Sequence, residues 1–183
     1  MSWHTSVIFI EQRHPSDFAS LLDSLGFPGG VSADIVGFED ATSSLANGKS
    51  VAHVNGWTVV CDPMFFVSLD SLESDELPTQ TGLWAPTLDV VLRQMSSSGG
   101  HVFGFVTEGA SGTHGFTWYE DGELRRAYLW QEGKVVINDG EPLSHEADMD
   151  DEEQRILHLM EKLCVGFESL ADAKFQVFEY EMR

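Results

Sequence analysis

Between residues 101 and 138 the sequence offers four β-prone runs, 101–107, 114–120, 124–130 and 134–138, with only short turn-rich segments between them. A parallel neighbour needs a crossover of a dozen or more residues, so connections this short permit antiparallel pairing alone. Asp121-Gly122 and Glu132-Gly133 separate the last three runs and suit tight hairpin turns. The stretch therefore predicts an antiparallel meander. No other feature of the chain constrains the fold as strongly.

The rest of the chain predicts additional hairpin strands and three amphipathic helices. Residues 3–10 are rich in β-branched and aromatic types and predict a strand. Pro15, Ser16 and Asp17 then open a helix carrying Phe18, Leu21, Leu22 and Leu25, which Gly26 stops. Short strands are expected near 31–38, 50–54 and 57–61, the last two joined by Asn55-Gly56 as an antiparallel hairpin. Pro86 sits at a helix N1 position, and Leu88, Val91, Leu92 and Met95 follow at helical spacing. A third helix over about 150–164 places Ile156, Leu159, Met160 and Leu163 on one face, and residues 174–180 predict a closing strand. Helices this few cannot repeatedly cross over a parallel sheet, so the class is α+β in a single domain spanning 1–183. Gly56-Trp57-Thr58 with Asp62-Pro63 echoes Gly115-Phe116-Thr117 with Asp121-Gly122, which allows two related sheet halves, about 1–98 and 99–183.

Charge narrows the partners. Thirty Asp and Glu stand against ten Lys and Arg, a formal net charge of −20. Such a field repels phosphate backbones and anionic lipid, so neither nucleic acid nor a membrane surface is expected as partner. A secretory signal needs a basic region and a longer apolar run than Val7-Ile8-Phe9-Ile10, so a cytoplasmic location is expected. Cys61 and Cys164 lack metal or redox spacing and are expected as reduced, buried thiols.

The sequence carries no recognisable catalytic or metal-binding motif. None of the seven histidines has a partner at the i, i+4 spacing of a zinc helix, and His145-Glu146 is followed by Met149 where a zincin needs His. Gly109-Ala110-Ser111-Gly112 lacks the spacing of a nucleophile elbow. No catalytic residue, metal or cofactor is therefore expected. Two acidic segments stand out instead. One holds Asp70, Glu73, Asp75 and Glu76 without a base. The other, 139–153, holds Asp139, Glu141, Glu146, Asp148, Asp150, Asp151, Glu152 and Glu153, again without Lys or Arg. The last of these also suit a helix start, where the macrodipole stabilises carboxylates by about 0.3–1 kcal/mol each.

Asp121-Gly122-Glu123-Leu124-Arg125-Arg126, then Gly133, Gly140-Glu141-Pro142-Leu143 and Glu146, an acidic helix and a Phe-x-Val-Phe strand form a recognisable series. With the upstream Gly56-Trp57-Thr58-Val59-Val60 run, it resembles small cytosolic bacterial proteins that include immunity proteins of polymorphic or contact-delivered toxins. The resemblance spans about residues 50–180 and carries no catalytic residues. It implies a non-enzymatic inhibitor that occludes a basic surface of a toxin, with Asp70, Glu73, Asp75, Glu76, Asp139, Glu141, Glu146, Asp148, Asp150 and Asp151 as the expected contacts. Two other readings stand beside it: a small enzyme or ligand-binding domain with a pocket walled by Trp57, Trp118 and Trp130, and an assembly subunit whose charge serves solubility.

Overall fold

A computed structural model describes residues 4–12, 17–43, 48–62, 83–97, 99–146 and 151–180. Among the described residues nine strands form one antiparallel sheet: β1 (His4–Ile10), β2 (Val31–Val36), β3 (Lys49–Val54), β4 (Trp57–Cys61), β5 (His101–Glu108), β6 (Thr113–Glu120), β7 (Glu123–Gln131), β8 (Lys134–Gly140) and β9 (Phe175–Glu179). Their order is β2-β9-β3-β4-β1-β5-β6-β7-β8. The chain is thus α+β, with β5 to β8 side by side in sequence order.

Local chemistry explains the hairpins. Asn55-Gly56, Asp121-Gly122 and Glu132-Gly133 all have positive φ at both residues, which lets a two-residue loop follow the right-handed twist of its strands. The two echoed glycines differ in backbone geometry. Gly56 lies in a turn with φ of +90°, whereas its counterpart Gly115 lies inside β6. A Cβ on Gly115 would stand 2.7 Å from Leu83 Cδ2, so its smallness serves packing rather than a turn. Moreover β9, from the second half, pairs between β2 and β3 of the first.

Five helices, rather than three, cover both faces among the described residues. They are α1 (Phe18–Ser24), α2 (Phe38–Ala41), α3 (Pro86–Ser96), α4 (Glu152–Leu163) and α5 (Phe167–Ala171). Asp17 caps α1 through Ser20 N–H, and Pro86 begins α3 where its missing N–H leaves no bond unmade. One sheet face presents Val7, Phe9, Phe103, Phe105 and Phe116 to Phe38, Ile156, Leu159, Met160 and Leu170. The opposite face presents Ile8, Ile10, Val60, Val102 and Tyr119 to Leu21, Leu22, Leu25, Leu88 and Leu92. Burying each large apolar side chain contributes about 1.5–3 kcal/mol, so this double burial is what fixes the register.

Both sheet edges are irregular. In β2 one extra residue interrupts the pairing between Ser32 and Ile35, and in β8 Val136 is extra between Val135 and Ile137. Bulges at edges obstruct further strand addition. No helix of the described residues is long and apolar enough to cross a membrane.

Candidate functional site

Cross-strand register builds one strongly charged end of the sheet. His101 at the start of β5 lies opposite Glu120 at the end of β6, and Glu120 lies opposite Glu123 at the start of β7. Glu11, just past β1, bonds through its N–H to the carbonyl of His101 at 2.9 Å. Gly140, closing β8, lies opposite Arg126. Glu11, Glu120, Asp121, Glu123, Asp139 and Glu141 are therefore gathered at a single end. Asp121, Glu123, Asp139 and Glu141 are all exposed.

Each face of the sheet holds this end in place. On the α3 face, Tyr119 Oη donates to Asp89 at 2.8 Å, and Gly122 N–H donates to Ser96 Oγ at 3.2 Å. Burial first, then the charge of Asp89, pushes the Tyr119 hydroxyl up, so it stays a donor. On the α4 face, Arg126 forks onto Glu146, with Nε to Oε2 at 2.9 Å and Nη2 to Oε1 at 2.6 Å. Arg126 Nη1 donates to Asn138 Oδ1 at 2.7 Å and to the Asp139 carbonyl at 3.0 Å. The guanidinium also lies over Phe116 and Tyr128, 5.9 and 5.5 Å from the ring centres. It is the largest fully buried side chain described, at 2% exposure.

A bulge explains how an arginine reaches this place. Arg125 is extra in β7, since Trp118 pairs with Arg126 while Tyr119 pairs with Leu124. Leu124 consequently packs on the α3 face and Arg126 on the α4 face, in register with Phe9, Phe103 and Trp118. Arg125, left exposed, pairs with Glu123.

The cations are mostly held inside the chain. Lys49 pairs with buried Asp62 beneath the ring of Phe27, Arg93 with Asp89, Arg126 with Glu146 and Arg155 with Glu152. Among the described bases, Lys134, Lys162 and Lys174 make no ion pair. Each pair takes one carboxylate with it, so the net charge is unchanged while the remaining acids outnumber the remaining bases by a larger ratio.

The expected contact residues are divided by this arrangement. Asp139 and Glu141 are exposed at the charged end. Asp151 is exposed and caps α4, accepting from Gln154 N–H at 2.9 Å. Glu146 needs correcting: its side chain is only 9% exposed, and both oxygens are held by Arg126. Burial pushes its carboxyl up, but the bonds from Arg126 and Leu143 N–H outweigh this and hold it below the ordinary value. Asp70, Glu73, Asp75, Glu76, Asp148 and Asp150 lie outside the described residues.

Trp57, Trp118 and Trp130 do not wall a common pocket. They share the α4 face, but β1 and β5 lie between β4, which carries Trp57, and β6, which carries Trp118. Three strand spacings separate them, about 14 Å. Trp130 pairs with His114, four positions along β6 from Trp118. Trp118 stacks on His101 at 4.8 Å and Trp130 lies near His114 at 5.9 Å, so each ring packs separately.

Among the described residues, no group of three or more His, Cys, Asp or Glu side chains is placed to hold a metal ion. Cys61 and Cys164 are both free thiols, and burial pushes both up, away from thiolate reactivity. What sequence reasoning missed is the His101 contact set: both ring nitrogens meet carboxylates, Glu11 and Glu120, distant in the chain. No sequence signal joins them: Glu11 and His101 flank β-prone runs far apart in the chain, brought together only by the β1–β5 pairing.

No protein-family model, curated protein or solved structure matches this chain.

Proposed function

We propose that this chain is a non-enzymatic acidic binding module of the immunity or inhibitor kind, which occludes a basic surface of a toxin. The observation that carries the reading is the concentration of exposed carboxylates at one end of a rigid sheet, while most described cations are paired within the chain. A net charge of −20 steers such a face toward a cationic cleft and raises the encounter rate. Asp139 and Glu141 lead the contact set, and Arg126 serves by holding the backbone that bears them.

The resemblance of the turn and acidic segments to immunity proteins points the same way. An inhibitor needs a preorganised surface more than reactive groups, and hydrogen bonds to α3 on one face and to Arg126 on the other supply one. Cytoplasmic placement and a basic toxin partner belong to the same proposal. The test is co-expression with the product of the neighbouring gene. Restored growth and a salt-sensitive complex are expected; a toxic product whose effect is unchanged by co-expression contradicts the reading.

A further inference from the structure

We propose that His101 is a proton-operated clasp: as imidazolium it joins Glu11 to Glu120, and on losing its proton it releases Glu120 to the acidic end of the sheet. This deepens the docking proposal and rests on it only for what the released carboxylate is used for. The clasp itself is a property of the free chain.

The donor inventory of imidazole carries the inference. Nδ1 of His101 meets Glu11 Oε2, and Nε2 meets Glu120 Oε1 at 3.1 Å. A carboxylate only accepts, so two such contacts need two ring N–H groups, and only the charged form has both. A neutral ring must turn one lone pair toward a carboxylate.

The geometry selects which contact breaks. Glu11 Oε2 also accepts from the backbone N–H of His101 at 3.1 Å, and Glu11 N–H bonds the His101 carbonyl. Glu11 is therefore held whether or not the ring is charged. Among the described residues Glu120 meets a donor only at Nε2. The neutral ring keeps its proton on Nδ1, and Glu120 swings toward Asp121 and Glu123.

The carboxylates that face the ring favour its charged form. Glu11 comes from the end of β1 and Glu120 from β6; Glu123 of β7 lies opposite Glu120 and is paired with Arg125. Cys164, at the end of α4, stays a neutral thiol, pushed up by burial and by the charge of Glu11. Trp118 stacks at 4.8 Å and 20°, and an indole face attracts a cation. Burial pulls the imidazole pKa down, but the bonds and charges of Glu11 and Glu120 outweigh it and raise it above 6.5.

The decisive experiment is a histidine side-chain nitrogen NMR titration of the full chain from about pH 5 to 9, with His101→Gln assigning the signal. The expected result is a midpoint above 6.5, an Nδ1–H neutral tautomer, and a downward shift in Glu120→Gln. The Trp118 indole signal is expected to move with the same midpoint. A midpoint at or below 6.5, or one unmoved by Glu120→Gln, overturns the clasp. Failure of the neighbouring-gene product to bind, with this titration intact, counts against docking alone.

Discussion

Arg126 and Glu146 form a two-pronged ion pair across 20 residues of chain, with both members withdrawn from solvent and the guanidinium over the Tyr128 ring. Removing one partner of a buried pair leaves an uncompensated charge and costs about 3–5 kcal/mol. Glu146→Ala is expected to lower stability by that order in urea unfolding. Arg126→Lys is expected to be nearly as damaging, because an ammonium cannot reproduce the fork onto Glu146 while reaching Asn138.

Two titrations of opposite sign shape the stability profile. The Glu146 carboxyl is held below its ordinary 4.5, so its contribution is present above 4.5 and is lost as pH falls through the lower folded value. His101 is raised above 6.5, so its contribution is complete below 6.5 and is lost as pH rises through the folded value. Urea midpoints across pH are expected to fall away less on the acid side in Glu146→Gln and less on the alkaline side in His101→Gln, each relative to its own maximum.

Gly140 and Gly133 separate backbone strain from steric exclusion. Both have φ near +80°, at +82° and +81°. A Cβ at Gly140 would stand 2.0 Å from the Arg125 carbonyl oxygen, whereas one at Gly133 meets nothing within 4 Å. Gly133→Ala is expected to cost about 1–2 kcal/mol through φ alone. Gly140→Ala is expected to cost several-fold more, and to disturb the Arg126 bond to the Gly140 carbonyl, visible as lost amide protection in β8.

The core under the acidic end is equally testable. Leu159 is fully buried on α4 against the sheet. Leu159→Ala is expected to cost about 2–5 kcal/mol, the spread reflecting how far the site can collapse. Thermal unfolding measures it.

What was legible in the sequence was local. Asn55-Gly56, Asp121-Gly122 and Glu132-Gly133 announce hairpins because the φ requirement acts within two residues. Pro86 marks α3 for the same kind of reason. By contrast α2 and α5 are short, start at glycines without a side-chain cap, and owe their form to packing of Phe38 and Leu170. The place of β9 depends on pairing with strands over a hundred residues away. Strand alternation alone does not assign the faces of β7, because the extra Arg125 changes which face Leu124 meets. Glu146 was grouped with its exposed neighbours because charge counting cannot see a buried guanidinium.

Asp139 and Glu141 are exposed and make no ion pair among the described residues, so replacing them is expected to change stability by no more than about 0.5 kcal/mol. The most direct test of docking is therefore kinetic: the association rate with the neighbouring-gene product, the partner proposed above, measured from low to high salt in wild type and in Asp139→Lys/Glu141→Lys. The account predicts a rate that falls steeply with salt in the wild type, and a lower, flatter one in the double variant. A wild-type rate indifferent to salt, and equal in the double variant, would contradict it.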